Sequence, residues 1–209
     1  MQDEYYVDQP VVREFIALVQ TTLNRSESPA QALPSLRPAF AALLADPHWL
    51  PAEFRQPSPQ SGMGGGIASW LLYRAGDGSL SLMSLVVPPG SATPIHDHLA
   101  WGLVGLYVGE QDEDVFEPQG EVGSSGHLAL TLTARNHLKP GDFYELLPPK
   151  GDIHRVITTS ATPSISIHLL GNDVGCVWRH RFDDAAQTVQ AFRSGYTNVD
   201  CGLLPYKIE

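Results

Sequence analysis

From Ile67 onward the chain is a succession of short segments in which apolar and polar residues alternate, and this pattern limits the possible folds more than any other feature. IASWLLYRA and SLSLMSLVV read as strands joined by the turn AGDGS. LVGLYVG, LALTLTA, DFYELLPP, HRVITT, SISIHLL and CVWRHRF follow, with Lys139-Pro-Gly-Asp142 turning the chain between two of them. A period of two places successive side chains on opposite faces of a sheet, and short strands at this regular spacing close into a barrel or jelly roll. No alternating helices are present to support a parallel α/β sheet. Nineteen glycines and seventeen prolines in 209 residues exceed average usage and suit many turns.

Ahead of the strands the period is helical. Val11, Val12, Phe15, Ile16, Val19 and Leu23 recur at helix spacing up to Asn24, with Pro10 at the entry. SESPAQ is a boundary, with Ser28 a candidate cap and Pro29 at the first helical position, and a second helical stretch includes Pro38 to Ala45. SPQSGMGGG reads as a flexible connection. Residues 1–62 are thus expected to be a helical segment covering the barrel, 63–185 the barrel itself, and 186–209 an extension packed on its outside. The acidic run EQDEDVFE is expected to be a solvated face or loop without a catalytic role.

Composition excludes some partners. A formal charge of −10 and a pI near 5.1 would repel phosphate backbones and anionic membranes, so neither nucleic acid nor a membrane is expected as partner. MQDEYYVDQP lacks the basic and apolar regions of a signal peptide, and no apolar run approaches a bilayer crossing. Two cysteines, Cys176 and Cys201, make no disulfide framework and fit a reducing compartment. The expectation is a soluble, cytoplasmic protein of an oligomeric state the sequence does not give.

Within the strand pattern lies TPIHDHLAWG. His96 and His98 are two apart, so in an extended chain both imidazoles leave one face and can converge on one metal ion. A third histidine, His154, follows the turn in PPKGDIHRV. Asp97, between the first two, points the other way. Three imidazoles suit Zn, Cu, Fe and Ni alike, so ligand type does not choose the metal. With three neutral ligands a divalent ion keeps its full charge and attracts an anionic ligand such as a thiolate.

These residues also carry a resemblance. Gly90, His96-x-His98 and Gly109 are similar to the first cupin motif, with Gly102 or Leu103 where that motif has a glutamate. Pro149-x-Gly151-x-x-His154 resembles the second. HDHLAWGLVG and SISIHLLG resemble the bacterial thiol dioxygenases, the family of cysteine dioxygenase and 3-mercaptopropionate dioxygenase, over roughly Trp70 to Phe182. The resemblance implies a mainly β cupin double-stranded β-helix with N-terminal helices. It also implies Fe(II) held by His96, His98 and His154, and oxidation of a small thiol carboxylate by O₂ to its sulfinic acid.

That family carries a serine, a histidine and a tyrosine, each two apart, beside the iron. Ser166 and His168 match the first two, and Leu170 occupies the tyrosine position, so a cysteine–tyrosine crosslink is not expected. The alternative is a Ser166–His168 pair that serves only the core. The serine would fix the histidine tautomer, and Leu170 would make one pocket wall apolar; Tyr73 or Tyr144 could supply the missing hydroxyl. Arg74, near the position of the mammalian-type substrate arginine, and Arg179, near that of the 3-mercaptopropionate type, are two candidates for binding the carboxylate. Either could be a surface residue. A metal-dependent isomerase or hydrolase, and a non-catalytic cupin binding a small ligand or a metal, are the competing readings.

Overall fold

The computed structural model describes residues 2–59 and 62–202. In chain order it has β1 (Glu4–Tyr5), α1 (Pro10–Asn24), α2 (Pro29–Ala45), a 3-10 turn (Ala52–Arg55), β2 (Ala68–Arg74), β3 (Ser81–Val87), β4 (Ile95–His96) and β5 (Gly102–Val108). Then come β6 (Gln111–Pro118), β7 (Ser125–His127), β8 (Leu130–Leu138), β9 (Phe143–Leu146), β10 (Ile153–Thr158), β11 (Ser164–Leu170), β12 (Arg179–Asp183) and β13 (Thr188–Phe192). Among the described residues these strands make two antiparallel sheets. One has the order β1-β2-β3-β11-β5-β9 and the other β7-β13-β12-β4-β10-β6-β8. From β3 to β6, and again from β9 to β12, consecutive strands alternate between the sheets. That winding is the double-stranded β-helix, and it stacks the sheets face to face around one interior.

The strand β11 is buried along its whole length, and its alternation explains how. Ile165, Ile167 and Leu169 face outward into a cluster with Leu33, Leu36 and Phe40 of α2 and Phe15 and Ile16 of α1. Ser164, Ser166, His168 and Leu170 face the barrel interior. The six-stranded sheet therefore lies between a helical layer and the barrel chamber. Close approach of α2 is possible because β5 has a glycine there: a Cβ on Gly105 would come within 2.5 Å of Leu44 and 2.8 Å of Phe143. Pro34 and Pro38 lie within α2, but on its exposed side, where water can reach the carbonyls they leave unbonded. Ser28 caps α2 through its backbone carbonyl, which accepts from Gln31 and Ala32, and not through its hydroxyl.

Three expectations are corrected. The acidic run is strand β6, paired with β10 and β8, and Gln111, Glu113, Asp114 and Phe116 within it are buried. Alternation in EQDEDVFE is masked by charge, because the inward positions also carry acids. The segment assigned to an outer extension contains β13, which pairs with β12 and places Phe192 in a cluster with Met83, Leu85 and Val156. The cysteines are not free: Cys176 and Cys201 form a disulfide with Cα atoms 5.1 Å apart. Their separation of 25 residues hid this, because the loop before β12 and the segment after β13 meet only in the fold. There Tyr196 accepts from the Gly175 amide and donates to Asp173. The pairing removes the ground on which a reducing compartment was expected. Among the described residues no helix is long and apolar enough to cross a membrane. Gln60 and Ser61 of the glycine-rich connection, and residues 203–209 of the extension, lie outside the described residues.

Phe40 is fully buried between the rings of Phe15 and Phe143. Phe40→Ala should lower unfolding free energy by about 3–5 kcal/mol, read as an earlier urea midpoint, because a ring-sized cavity opens between two layers. The interior histidines lie on the other face of the sheet, so metal uptake by the folded variant should match that of the parent.

Candidate metal centre and its chamber

The sheet register brings the histidines together. His96 of β4 and His154 of β10 are direct cross-strand partners, which puts both side chains on one face, and His98 follows just past the end of β4. All three are buried, and their ligand nitrogens lie within 4.8 Å of one another, on the scale set by metal–imidazole bonds of about 2.0–2.1 Å. Each ring has an oxygen beside its Nδ1: the Pro94 carbonyl at 2.9 Å for His96, Asp152 Oδ1 at 3.2 Å for His98, and Glu113 Oε1 at 2.7 Å for His154. An Nδ1–H donated to oxygen leaves the Nε2 lone pair for a metal. His154 Nε2 is buried with no protein partner, as a ligand atom awaiting an ion would be. The residues present therefore fit a divalent metal.

Charge states agree with this arrangement. Burial, with the neighbouring histidines, pushes His96 and His98 below the usual histidine range, which keeps the rings neutral. Burial alone would raise Glu113, but the hydrogen bond from His154 and the favourable charge interaction with that ring, then Tyr144 and Asn136, outweigh it and bring the carboxyl to about 2. For Asp152 burial is likewise outweighed by the hydrogen bond from His98 and the charge interaction with that ring, then by the amides of Leu99 and His98. Both its oxygens accept backbone amides, from His98 and Leu99 at 3.0 Å each. That bracket holds Leu99 at φ 52°, a conformation a leucine rarely adopts, and so fixes the turn that aims His98.

Across the chamber, β11 presents Ser166 and His168 from the other sheet. Ser166 Oγ is 2.8 Å from His168 Nε2, and the His168 ring lies 6.2 Å from that of His98. Burial first, then the crowding of other histidines and the Arg179 cation, pushes His168 well below the usual range, so it is neutral. Leu170 is fully buried in a cluster with Ala100, Val104, Leu146 and Val174, against which Tyr144 packs.

The two arginines separate cleanly. Arg74 is spent on carboxylates of the chain itself, Glu4 and Asp173, and is partly exposed. It is not brought to the histidines, because β2 turns it toward the N-terminal strand. Arg179 is buried, with its guanidinium 4.8 Å from the Phe192 ring. It donates to the carbonyls of Val174 and Asp97 and to Ser194 Oγ. Among the described residues no carboxylate lies within ion-pair distance of it. Burial lowers it to about 10, which leaves it charged at neutral pH.

Tyr73 is bonded to Asp3 and Gln20 on the helical side and does not reach the site. Tyr144 does, but from behind: its hydroxyl is 3.3 Å from His154 Nδ1, on the side where Glu113 accepts from the same ring, and it helps lower the Glu113 carboxyl. Glu113 and Asp152 were not read from the sequence. Asp152 had a usable signal, standing two residues before His154 and hence on the same strand face. Glu113 had one only in retrospect, through the register of β6 with β10.

No protein-family model matches the sequence. Solved structures similar to it include a double-stranded β-helix protein from Klebsiella pneumoniae, with 17% identity over 59% of this chain and 88% of that one, at a TM-score of 0.42. Another is a cupin 2 conserved barrel protein from Salinispora arenicola, with 16% identity over 53% and 79%, at 0.37. A third is the oxalate decarboxylase of Lactobacillus farciminis, with 16% identity over 46% of this chain, at 0.36. The chain spans a quarter of the decarboxylase's length. The cupin fold of this chain rests on its own sheet order and winding.

Glu113→Gln keeps the shape but removes the charge that accepts the His154 N–H. Metal affinity should fall by roughly 10–100-fold, measured by competition with a chromophoric chelator. His154→Ala should lose most metal outright while far-ultraviolet circular dichroism stays β-rich. Full metal retention in both variants would place the ion elsewhere.

Proposed function

We propose that this protein is a non-haem Fe(II) dioxygenase that oxidises a small thiol carboxylate to its sulfinic acid, RSH + O₂ → RSO₂H. The observation that carries this reading is Arg179. This buried guanidinium, with no carboxylate at ion-pair distance among the described residues, donates through Nη1 to the carbonyl of Asp97, the residue between His96 and His98. Burying a cation without a directly paired carboxylate is costly; Asp97 and Asp152 offset part of that cost from a distance, and an anionic substrate would offset more. Five N–H donors less the three in use leave one on each terminal nitrogen for a planar carboxylate.

His96, His98 and His154 would hold the ion, and ferrous iron so bound would supply open positions and the redox chemistry joining thiol and O₂. The chain's own groups do the rest. Arg179 fixes the carboxylate and so sets how far the sulfur reaches into the chamber. Ser166 occupies His168 Nε2, which leaves Nδ1 to exchange a proton with the bound thiol, and the neutral ring is the form able to accept it. Leu170, Ala100, Val104 and Val174 exclude water from one wall.

Oxygen-electrode traces after anaerobic Fe(II) loading test the reading, with 3-mercaptopropionate, cysteine, mercaptosuccinate and cysteamine as substrates. Thiols bearing a carboxylate should consume O₂ faster than cysteamine, which has none. Arg179→Lys should cost roughly ten- to hundred-fold in kcat/KM for the carboxylate thiols, since the bidentate geometry is lost. Absence of uptake with every thiol, or equal turnover of cysteamine and 3-mercaptopropionate, would overturn it.

A further inference from the structure

Asp97 sits between two of the metal-site histidines, and alternation sends its side chain to the opposite face from theirs. It is buried there all the same. Its carboxylate accepts twice from one residue of β12: Oδ1 takes the His180 amide at 2.7 Å, and Oδ2 lies 2.5 Å from His180 Nδ1. Its own amide donates to the His180 carbonyl at 3.3 Å. Its carbonyl, meanwhile, accepts Arg179 Nη1 at 2.7 Å. Every polar group of Asp97 is thus engaged with two consecutive residues of β12.

This matters because β4 and β12 are joined by so little else. Their ladder has two register pairs, Arg181 with His96 and Phe182 with Ile95. Beyond them, Asp97 carries the pairing on to the level of Arg179. Its side chain grips His180 on the outer face, and its main chain grips the guanidinium on the inner face.

We propose that Asp97 is a positioning residue that sets Arg179 for its carboxylate ligand and ties that setting to the loop bearing His96 and His98. Asp97 touches neither substrate nor metal. It works by orienting its own carbonyl, which a bidentate grip on His180 holds in line with Nη1. Loss of the grip lets the carbonyl turn and the guanidinium swing, so that carboxylate affinity falls while the ligand set persists. The proposal rests on the reading of Arg179 as the carboxylate anchor.

The test uses the full chain loaded with Fe(II), with two measurements. Anaerobic calorimetry gives affinity for 3-mercaptopropionate and for cysteamine, and oxygen uptake gives KM and kcat for both. In Asp97→Asn, affinity for 3-mercaptopropionate should fall and its KM rise about ten-fold. Cysteamine binding, kcat and metal content should change by less than about three-fold. In an Arg179→Gln background the same substitution should add nothing, because its effect passes through Arg179. A loss shared equally by both thiols, additive losses in the double variant, or metal loss in step with affinity would each overturn the proposal. If the parent binds 3-mercaptopropionate but consumes no O₂, the dioxygenase reading fails and calorimetry alone decides this one. Should Asp97→Asn not fold, His180→Gln, which removes the imidazole and keeps the amide, carries the same expectations.

Discussion

A neutral imidazole has one lone pair and one N–H, and a metal can take only the first. The protein must therefore find an oxygen for every N–H it buries, and the rest of this barrel is arranged to bring those oxygens in. They come from three places: the turn before β4 for His96, the residue two before His154 for His98, and β6 for His154. The last depends on the register of β6 with β10, and a slip of one residue would turn Glu113 outward and leave His154 without its acceptor. An unmet buried donor costs about 1–3 kcal/mol, so the correct register is favoured by more than apolar burial.

The same bonds decide the electrostatics of the chamber. Glu113 and Asp152 are anionic, but both lie behind the rings, with their charge directed into N–H groups and away from the interior. Asp97 is turned to the outer face. Arg179 is a buried cation on the opposite side of the Asp97 backbone from that carboxylate, bonded to its carbonyl. The chain as a whole carries −10, which opposes an anionic substrate such as the one proposed. Distance settles the matter. At physiological ionic strength, surface charges are screened beyond about 8 Å, whereas a buried cation about 4 Å from a carboxylate contributes about 4 kcal/mol at an effective dielectric constant near 20. The local cation outweighs the global charge.

The barrel was legible because alternation and turn chemistry are local, and the histidine triad because H-x-H on a strand is a local statement too. What could not be read was long-range. The acids of β6 look like a solvated run until the register with β10 shows which of them points inward. Arg74 and Arg179 look alike until β2 delivers one to Glu4 and Asp173 and β12 delivers the other to the chamber. Cys176 and Cys201 look free because nothing local tells a loop that it will lie beside a distant segment. Asp97 was read correctly as pointing away from its neighbours' face, but which residue it would meet there depended on β12.

The fate of the missing phenol shows how far the chamber differs from the pattern its sequence resembles. Leu170 stands where a tyrosine would be, two residues beyond His168 on the same face of β11. A tyrosine does approach the site from β9, and it packs against the same apolar cluster as Leu170. Yet Tyr144 directs its hydroxyl to Glu113 and to the Nδ1 side of His154, the side away from the ligand atom. It strengthens the grip on a histidine and does not replace a donor toward the interior. Burial, and then the charge of Glu113, raises its pKa well above the ordinary range, so it remains a neutral donor to that carboxylate. Along β11, then, Ser166 and His168 are followed by hydrocarbon, and under the proposed function the polar work inside the chamber would fall to those two residues and Arg179.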